Sequence, residues 1–277
     1  MSNVAIITAR GGSKRIPRKN IKDFCGKPII AYSINAALRS SVFDEIMVST
    51  DDEEIADVAR RYGASVPFMR SDATSDDFAT TTAVLREVLA SYKTLGVTFD
   101  EICCIYPTAP FICAQELIEA WRMIEQGASS VIPVTSFDYP PQRGFDLLPD
   151  GGVRYSHPEY AATRSQDLAP MVHDCGRFYM AKTELYLSKG SFLMRGCRSL
   201  YIDPMRAQDI DTIEDWKLAE FKFRLMQEGE ISLKLRKTID NGAVSYTHLY
   251  FFYCCRAWRS ASSAPGSCPA GGIPSEN

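Results

Sequence analysis

The sequence predicts an α/β fold in which a mainly parallel sheet carries helices on both faces. Three observations point there. Strand-like and helix-like segments alternate along most of the chain. The helix-like segments keep one apolar face each, as helices covering a sheet must. A glycine- and cation-rich loop, TARGGSKRIPRKN at 8–20, follows the first strand directly, at the strand end where such sheets bind ligands.

The elements follow in order. VAIIT (4–8) reads as a buried strand. PIIAYSINAALRS (28–40) reads as a helix with Pro28 at its first position. EIMVST (45–50) is strand-like. DDEEIADVARRYG (51–63) is the cleanest helix: Ile55, Val58, Ala59 and Tyr62 share a face, acids crowd the start and Gly63 ends it. A short strand, SVPFM, follows. Val84, Leu85, Val88, Leu89 and Tyr92 mark the next helix, and EICCIY the next strand. Leu117, Ile118, Trp121 and Ile124 mark a helix ended by Gly127, and SSVIPVT (129–135) is a strand. Residues 136–178 break the rhythm with Pro, Gly, Tyr and charge, and read as an insertion of short strands and loops. Regularity returns with GRFYMA, SLYIDP and a helix from Thr212 to Glu228, ended by Gly229. The expected domain therefore runs over residues 1–239. Residues 240–277 lack amphipathic period and are rich in Ser, Pro, Gly and Cys, which predicts a disordered tail. Within it, VSYTHL (244–249) matches the translation of a transposon-end sequence used in sequencing libraries. Residues from about 244 are therefore expected to be a sequencing artefact, with a real species-specific tail as the alternative.

Length and composition narrow the function classes. The chain has 277 residues, 45% hydrophobic and 23% charged, enough for one large domain with an insertion. A net charge of −3 gives no broad basic field for nucleic acid. Nine cysteines occur without a C-x-x-C pair, and Cys103 and Cys104 sit in an apolar run, where cysteine acts as a small hydrophobe. This usage fits a reducing compartment. With no signal-like start and no apolar run of membrane-spanning length, a cytoplasmic protein without a membrane partner is expected.

The first loop holds the chemistry. Gly11 and Gly12 let the backbone turn tightly beside an anion. Arg10, Lys14, Arg15, Arg18 and Lys19 supply positive charge, and Pro17 limits the loop's freedom. A polyphosphate suits such a loop. It is neither a G-x-x-x-x-G-K-[ST] phosphate loop nor a G-x-G-x-x-G dinucleotide turn.

From Val4 to about Met226 the chain resembles bacterial cytidylyltransferases that activate nine-carbon keto-sugar acids. The matching segments are IITARGGSKRIPRKNIKDFCGKPIIAYSI, VSTDDEEIADVARRYGA, RSDATSDDFATT, YPTAP, PPQR, RSQDL, HDCGRFY and DIDTIEDW. RSQDL followed by HDCGRFY is closer to the pseudaminic acid branch than to the sialic acid branch. The resemblance implies a Rossmann-like nucleotidyltransferase with an inserted dimerisation segment, a homodimer that uses CTP and Mg²⁺. The implied reaction converts CTP and pseudaminic acid to CMP-pseudaminic acid and diphosphate, for surface glycan or flagellin glycosylation. Sialic, legionaminic or Kdo activation is the alternative within the class. A silent nucleotide-binding module is the alternative outside it.

In this reading Arg10, Lys14 and Lys19 hold the triphosphate and the leaving diphosphate. Ser13 and the Gly11 and Gly12 amides bond phosphate oxygens, and Asn20 lies near the ribose and base. The reaction needs positioning and charge stabilisation above all. In the extended DID segment Asp209 and Asp211 face one way. The resemblance makes them the metal acids, with Asp211 the firmer ligand, while the alternative is that Asp211 or Thr212 caps the next helix; both roles can coexist. Arg70 and Ser75 resemble the segment that meets cytosine and ribose. Arg143 and Arg164 are candidates for the sugar carboxylate, with Gln166 and His173 as further sugar contacts. Family dimers lend insertion residues to the neighbouring subunit, so some of these would act in trans. His173 and Asp174 are adjacent on an extended segment, which disfavours direct pairing of their side chains. The general base is unassigned, with Asp211 or a metal-bound water as candidates.

Overall fold

The computed structural model describes residues 2–76 and 78–240. They fall into two units, divided between Phe223 and Arg224. The first unit holds eleven strands in chain order: β1 (Asn3–Thr8), β2 (Asp23–Phe24), β3 (Lys27–Pro28), β4 (Glu45–Ser49), β5 (Glu101–Ile105), β6 (Ser130–Ser136), β7 (Phe145–Leu147), β8 (Val153–Tyr155), β9 (Val172–Asp174), β10 (Phe178–Lys182) and β11 (Cys197–Tyr201). Its helices are α1 (Ile30–Ser40), α2 (Glu53–Arg61), α3 (Thr81–Thr94), α4 (Ala114–Glu125) and α5 (Thr183–Lys189), with the first turns of α6 (Ile213–Asp240). In the second unit, residues 224–240 are helical. The predicted tail beyond 240 lies outside the described residues.

Seven strands form the main sheet in the order β11-β6-β10-β5-β1-β4, with β9 also paired to β6. The pairs β1–β4, β1–β5 and β11–β6 are parallel, whereas β10 runs antiparallel to both β5 and β6. Alternate residues of each strand face opposite layers. Ala5, Ile7, Cys103, Ile105, Phe178 and Met180 pack against α1, α2 and α4. Val4, Ile6, Ile102, Cys104, Tyr179 and Ala181 pack against α3 and α5. The predicted two-faced covering is thus present, and the adjacent Cys103 and Cys104 are buried on opposite faces. Burial pushes the Cys103 thiol up, and the Cys104 thiol to about 12, so neither is a nucleophile at neutral pH.

Three local expectations need correction. Pro28 does not open α1. It pairs with Asp23 in the β2–β3 hairpin, and the helix starts at Ile30. Proline's fixed φ serves an extended turn as well as a helix start. SVPFM forms no strand beyond a bridge from Ser65 to Met47 at the sheet edge, because Pro67 removes a ladder donor. Gly229 does not stop α6, which continues to Asp240. An interior glycine costs only about 1 kcal/mol against alanine, and the flanking residues are good helix formers.

Residues 136–178 contain the β7–β8 hairpin, short 3₁₀ turns and β9. β9 and β10 lie along one edge of β6 but out of step. Asp174 faces Val134 and Met180 faces Val131, so Cys175–Arg177 bulge between them, with Gly176 at φ +59°.

Candidate active site

The carboxyl ends of β1 and β4 meet at the first loop. Gly11 donates its N–H to Asp51 Oδ1 at 2.8 Å. The close approach explains this glycine: a Cβ there would sit 2.8 Å from Asp52 Oδ2. Among the described residues, nothing lies within 4 Å of the corresponding position on Gly12. Asp52 caps α2 by accepting from the Ile55 N–H at 3.0 Å. It also pairs with Arg18, whose Nη2 reaches Asp52 Oδ1 at 2.9 Å and Glu54 Oε2 at 2.5 Å. The hydrogen bond from Arg18 holds the Asp52 carboxyl below its usual range. Asn20 is buried and donates to the Arg10 carbonyl at 2.8 Å. Arg10 donates to the Asp76 carbonyl at 3.1 Å, linking this loop to the 70–76 segment. Lys14 and Arg15 are exposed.

The hairpin at the end of the loop docks α6. Phe24 meets the rings of Tyr32, Trp216 and Phe223 edge-on at 5.6, 5.5 and 5.5 Å. Lys22 lies over Trp216 at 5.8 Å. This packing brings the DID segment, distant in sequence, against the cations. Lys19 Nζ donates to the Ile210 carbonyl at 2.7 Å and faces Asp211 Oδ1 at 3.6 Å. Arg15 pairs with Asp211 Oδ2 at 2.9 Å.

Helix capping falls to other residues. Thr212 Oγ1 accepts from the Asp215 N–H at 3.2 Å, and Asp215 accepts from the N–H groups of Thr212 and Asp211 at 2.8 and 3.1 Å. These bonds hold the Asp215 carboxyl below its usual range. The Asp211 carboxylate is therefore turned to Arg15 and Lys19 rather than to the helix end.

A cleft of about 750 Å³ opens beside this segment. Its lining includes His173, Asp174, Cys175 and Gly176 at the end of β9, and Pro204, Gln208, Asp209 and Lys222 beyond β11; β9 and β11 pair with opposite edges of β6. Asp209 thus faces the cleft. Lys222 was not singled out from sequence. It donates to the Ala207 carbonyl at 3.2 Å and to Gln208 Oε1 at 3.0 Å. His173 Nδ1 contacts the Asp174 carbonyl at 2.9 Å, while the Asp174 carboxylate accepts from Tyr179 Oη at 2.6 Å and the Gly176 N–H at 2.8 Å. The two side chains are not paired with each other. Burial and the Asp174 bond push the Tyr179 phenol far up, so it stays protonated as a donor.

The other sequence candidates lie elsewhere. Arg70 donates to the Ser49 carbonyl at 2.6 Å and to Ser49 Oγ at 3.0 Å, and burial lowers its pKa. Ser75 donates to the Ser71 carbonyl at 2.7 Å, within its own loop. Arg143 reaches Ser165 Oγ at 3.4 Å. Arg164 and Gln166 are exposed, and none of these three insertion residues lines the cleft. Sequence reading also missed Asp51, Asp52 and Glu116. The only signal for them was their place at strand ends and helix starts.

Comparisons with known proteins identify the family. A family model described as cytidylyltransferase matches residues 4–183. A pseudaminic acid cytidylyltransferase of Campylobacter jejuni is 41% identical over 230 residues, covering 82% of this chain and 99% of that protein. A CMP-N,N'-diacetyllegionaminic acid synthase of Legionella pneumophila is 34% identical, covering 82% of this chain and 99% of that protein. The solved structure of CMP:2-keto-3-deoxy-manno-octonic acid synthetase complexed with CTP superposes with a TM-score of 0.59 at 19% identity, over 82% of this chain and all of that one. That likeness shows the fold. The family model over residues 4–183 and 41% identity over nearly the whole length of such an enzyme show that the chain, with its mainly parallel sheet and cationic first loop, belongs to the cytidylyltransferase family.

Proposed function

We propose that this protein transfers the CMP group of CTP to pseudaminic acid, releasing diphosphate. The observation that carries the proposal is the meeting of Lys19 and Arg15 with Asp211, two residues along the chain from Asp209 in the lining of an open cleft. The similarity to pseudaminic acid cytidylyltransferases over nearly their whole length supports the choice of sugar.

In this reading the triphosphate lies along the first loop. Arg10, Lys14 and Lys19 offset charge on the phosphates and on the departing diphosphate, where fixed donors are worth most. Gly12 and Ser13 let the backbone approach the phosphates. Arg70 and Ser75 line the path toward the base and ribose. The sugar acid occupies the cleft against His173, its anomeric oxygen aimed at the α-phosphorus. Bound Mg²⁺ would neutralise phosphate charge and help align the triphosphate. Asp211 and Asp209 fit that role as a donor set. Both are carboxylates, the Thr212–Asp215 cap leaves Asp211 uncommitted to the helix, and Mg²⁺ takes one or two carboxylates alongside phosphate oxygens.

The insertion presents Tyr139, Leu147 and Val153 at 85%, 80% and 61% exposure. Apolar exposure of this kind fits a protein interface. In a homodimer built on it, Arg143, Arg164 and Gln166 would serve the partner's cleft. Cysteine usage agrees with action in the cytoplasm.

The test is diphosphate release from CTP and Mg²⁺ with a panel of nine- and eight-carbon keto-sugar acids. Pseudaminic acid is expected to give the highest kcat/KM. A higher value for a sialic, legionaminic or Kdo substrate overturns the sugar assignment, and no release with any of them overturns the activity.

A further inference from the structure

One half-buried carboxylate joins three chain segments, two of which lead into the cleft lining. Glu116, in the first turn of α4, takes a two-pronged bond from Arg177, with Nη2–Oε2 at 2.7 Å and Nη1–Oε1 at 3.2 Å. Arg206 Nη2 approaches Glu116 Oε1 at 3.3 Å and donates to the Phe111 carbonyl at 3.0 Å. The Cys113 N–H donates to Glu116 Oε2 at 3.1 Å. Arg177 is only 2% exposed. It directly follows Cys175 and Gly176 of the cleft lining, and its carbonyl accepts from the Tyr106 N–H at 2.8 Å, at the end of β5. Arg206 sits in the Pro204–Arg206 turn, which begins the part of the lining beyond β11 and leads to Asp209.

Buried ion pairs are a poor source of net stability, because desolvation offsets the Coulombic gain. Here two arginines share one carboxylate, and among the described residues Arg177 Nε has no hydrogen-bond partner. Stability alone is a weak reason for such a cluster. Its geometry has another consequence: a bidentate bond fixes direction as well as distance. We propose that Glu116 is a positioning residue that, through Arg177 and Arg206, sets the spacing between these two parts of the cleft lining and so governs binding of the sugar acid. Among the described residues, the partners of Glu116 are Arg177, Arg206 and Cys113, none of them in the first loop. The inference rests on the reading of the cleft as the sugar-acid site.

The experiment measures KM for CTP and for pseudaminic acid separately in the full-length protein, with thermal melting of each variant. Arg206→Ala serves as the main variant, because this side chain is partly exposed and the Glu116–Arg177 bond survives its loss. Glu116→Gln is the more severe companion. Both are expected to raise KM for the sugar acid about tenfold or more and to leave KM for CTP within about twofold. A cluster that only stabilises would lower the melting temperature and leave both KM values unchanged, and that result overturns the proposal. An equal rise in both KM values overturns it too. If Glu116→Gln does not fold, Arg206→Ala decides alone. If the wild-type protein shows no sugar-dependent diphosphate release, the functional reading has failed, an outcome distinct from unaltered selectivity in an active variant.

Discussion

Replacing Lys19 by alanine removes two interactions of different kinds. Its ammonium donates to the Ile210 carbonyl at 2.7 Å, a charged hydrogen bond worth about 1.5–3 kcal/mol. Its second contact, with Asp211 at 3.6 Å, adds little to stability, since that carboxylate is 38% exposed and already paired with Arg15. The stability loss should therefore stay near 1.5–3 kcal/mol, which a domain of this size tolerates. The catalytic loss should be larger in effect. Removing a preorganised donor from developing charge costs on the order of 10²–10³ in rate. Lys19→Met keeps the apolar stem and isolates the charge, so it should match alanine in turnover and melt no earlier. The assay is diphosphate release at saturating CTP and sugar acid, with urea unfolding run in parallel. A folded Lys19→Ala protein that turns over within about threefold of wild type would remove the loop from the mechanism.

Three further outcomes are expected. Asp211→Asn should abolish Mg²⁺-stimulated diphosphate release while urea unfolding shifts by less than about 1 kcal/mol, because Thr212 and Asp215 cap the helix; unchanged metal stimulation would exclude a ligand role. Gly11→Ala should lose about 1–3 kcal/mol by forcing its Cβ against Asp52, whereas Gly12→Ala should stay within about 0.5 kcal/mol; equal unfolding midpoints for the two would refute the close-approach argument. The Asp52 carboxyl titrates below its ordinary 3.8, so its pairing with Arg18 stabilises the fold above that pH and is lost as pH falls through the depressed value. Asp52→Asn should therefore lower stability at neutral pH, and its deficit should shrink in acid; a deficit that does not vary between pH 7 and pH 3, followed by urea unfolding, would contradict this.

Local periodicity carried much of the fold. The stripe Ile55, Val58 and Ala59 marked α2, and the run EICCI marked β5, because each residue's burial follows from position within its own element. Where two local preferences compete, the pattern is silent. Pro28 suits both a hairpin and a helix start, and only the pairing with Asp23 decides. The same limit holds at the site. The density of Gly and Lys/Arg in the first loop is visible in the chain itself. That Lys19 lies against Ile210 is not, since it depends on Phe24 docking Trp216 and Phe223. Lys222 and Glu116 carry no local signal, because a lysine or glutamate on an amphipathic helix is ordinarily a solvated face residue.

The placement of β10 also bears on how the chain is made. This strand lies between β5 and β6, both earlier in the sequence, and runs against each. A nascent chain leaving the ribosome therefore displays β5 and β6 with open edges until residue 182 has emerged. Sheet closure waits on a late, non-local pairing, the kind that slows folding and invites association between unfinished chains.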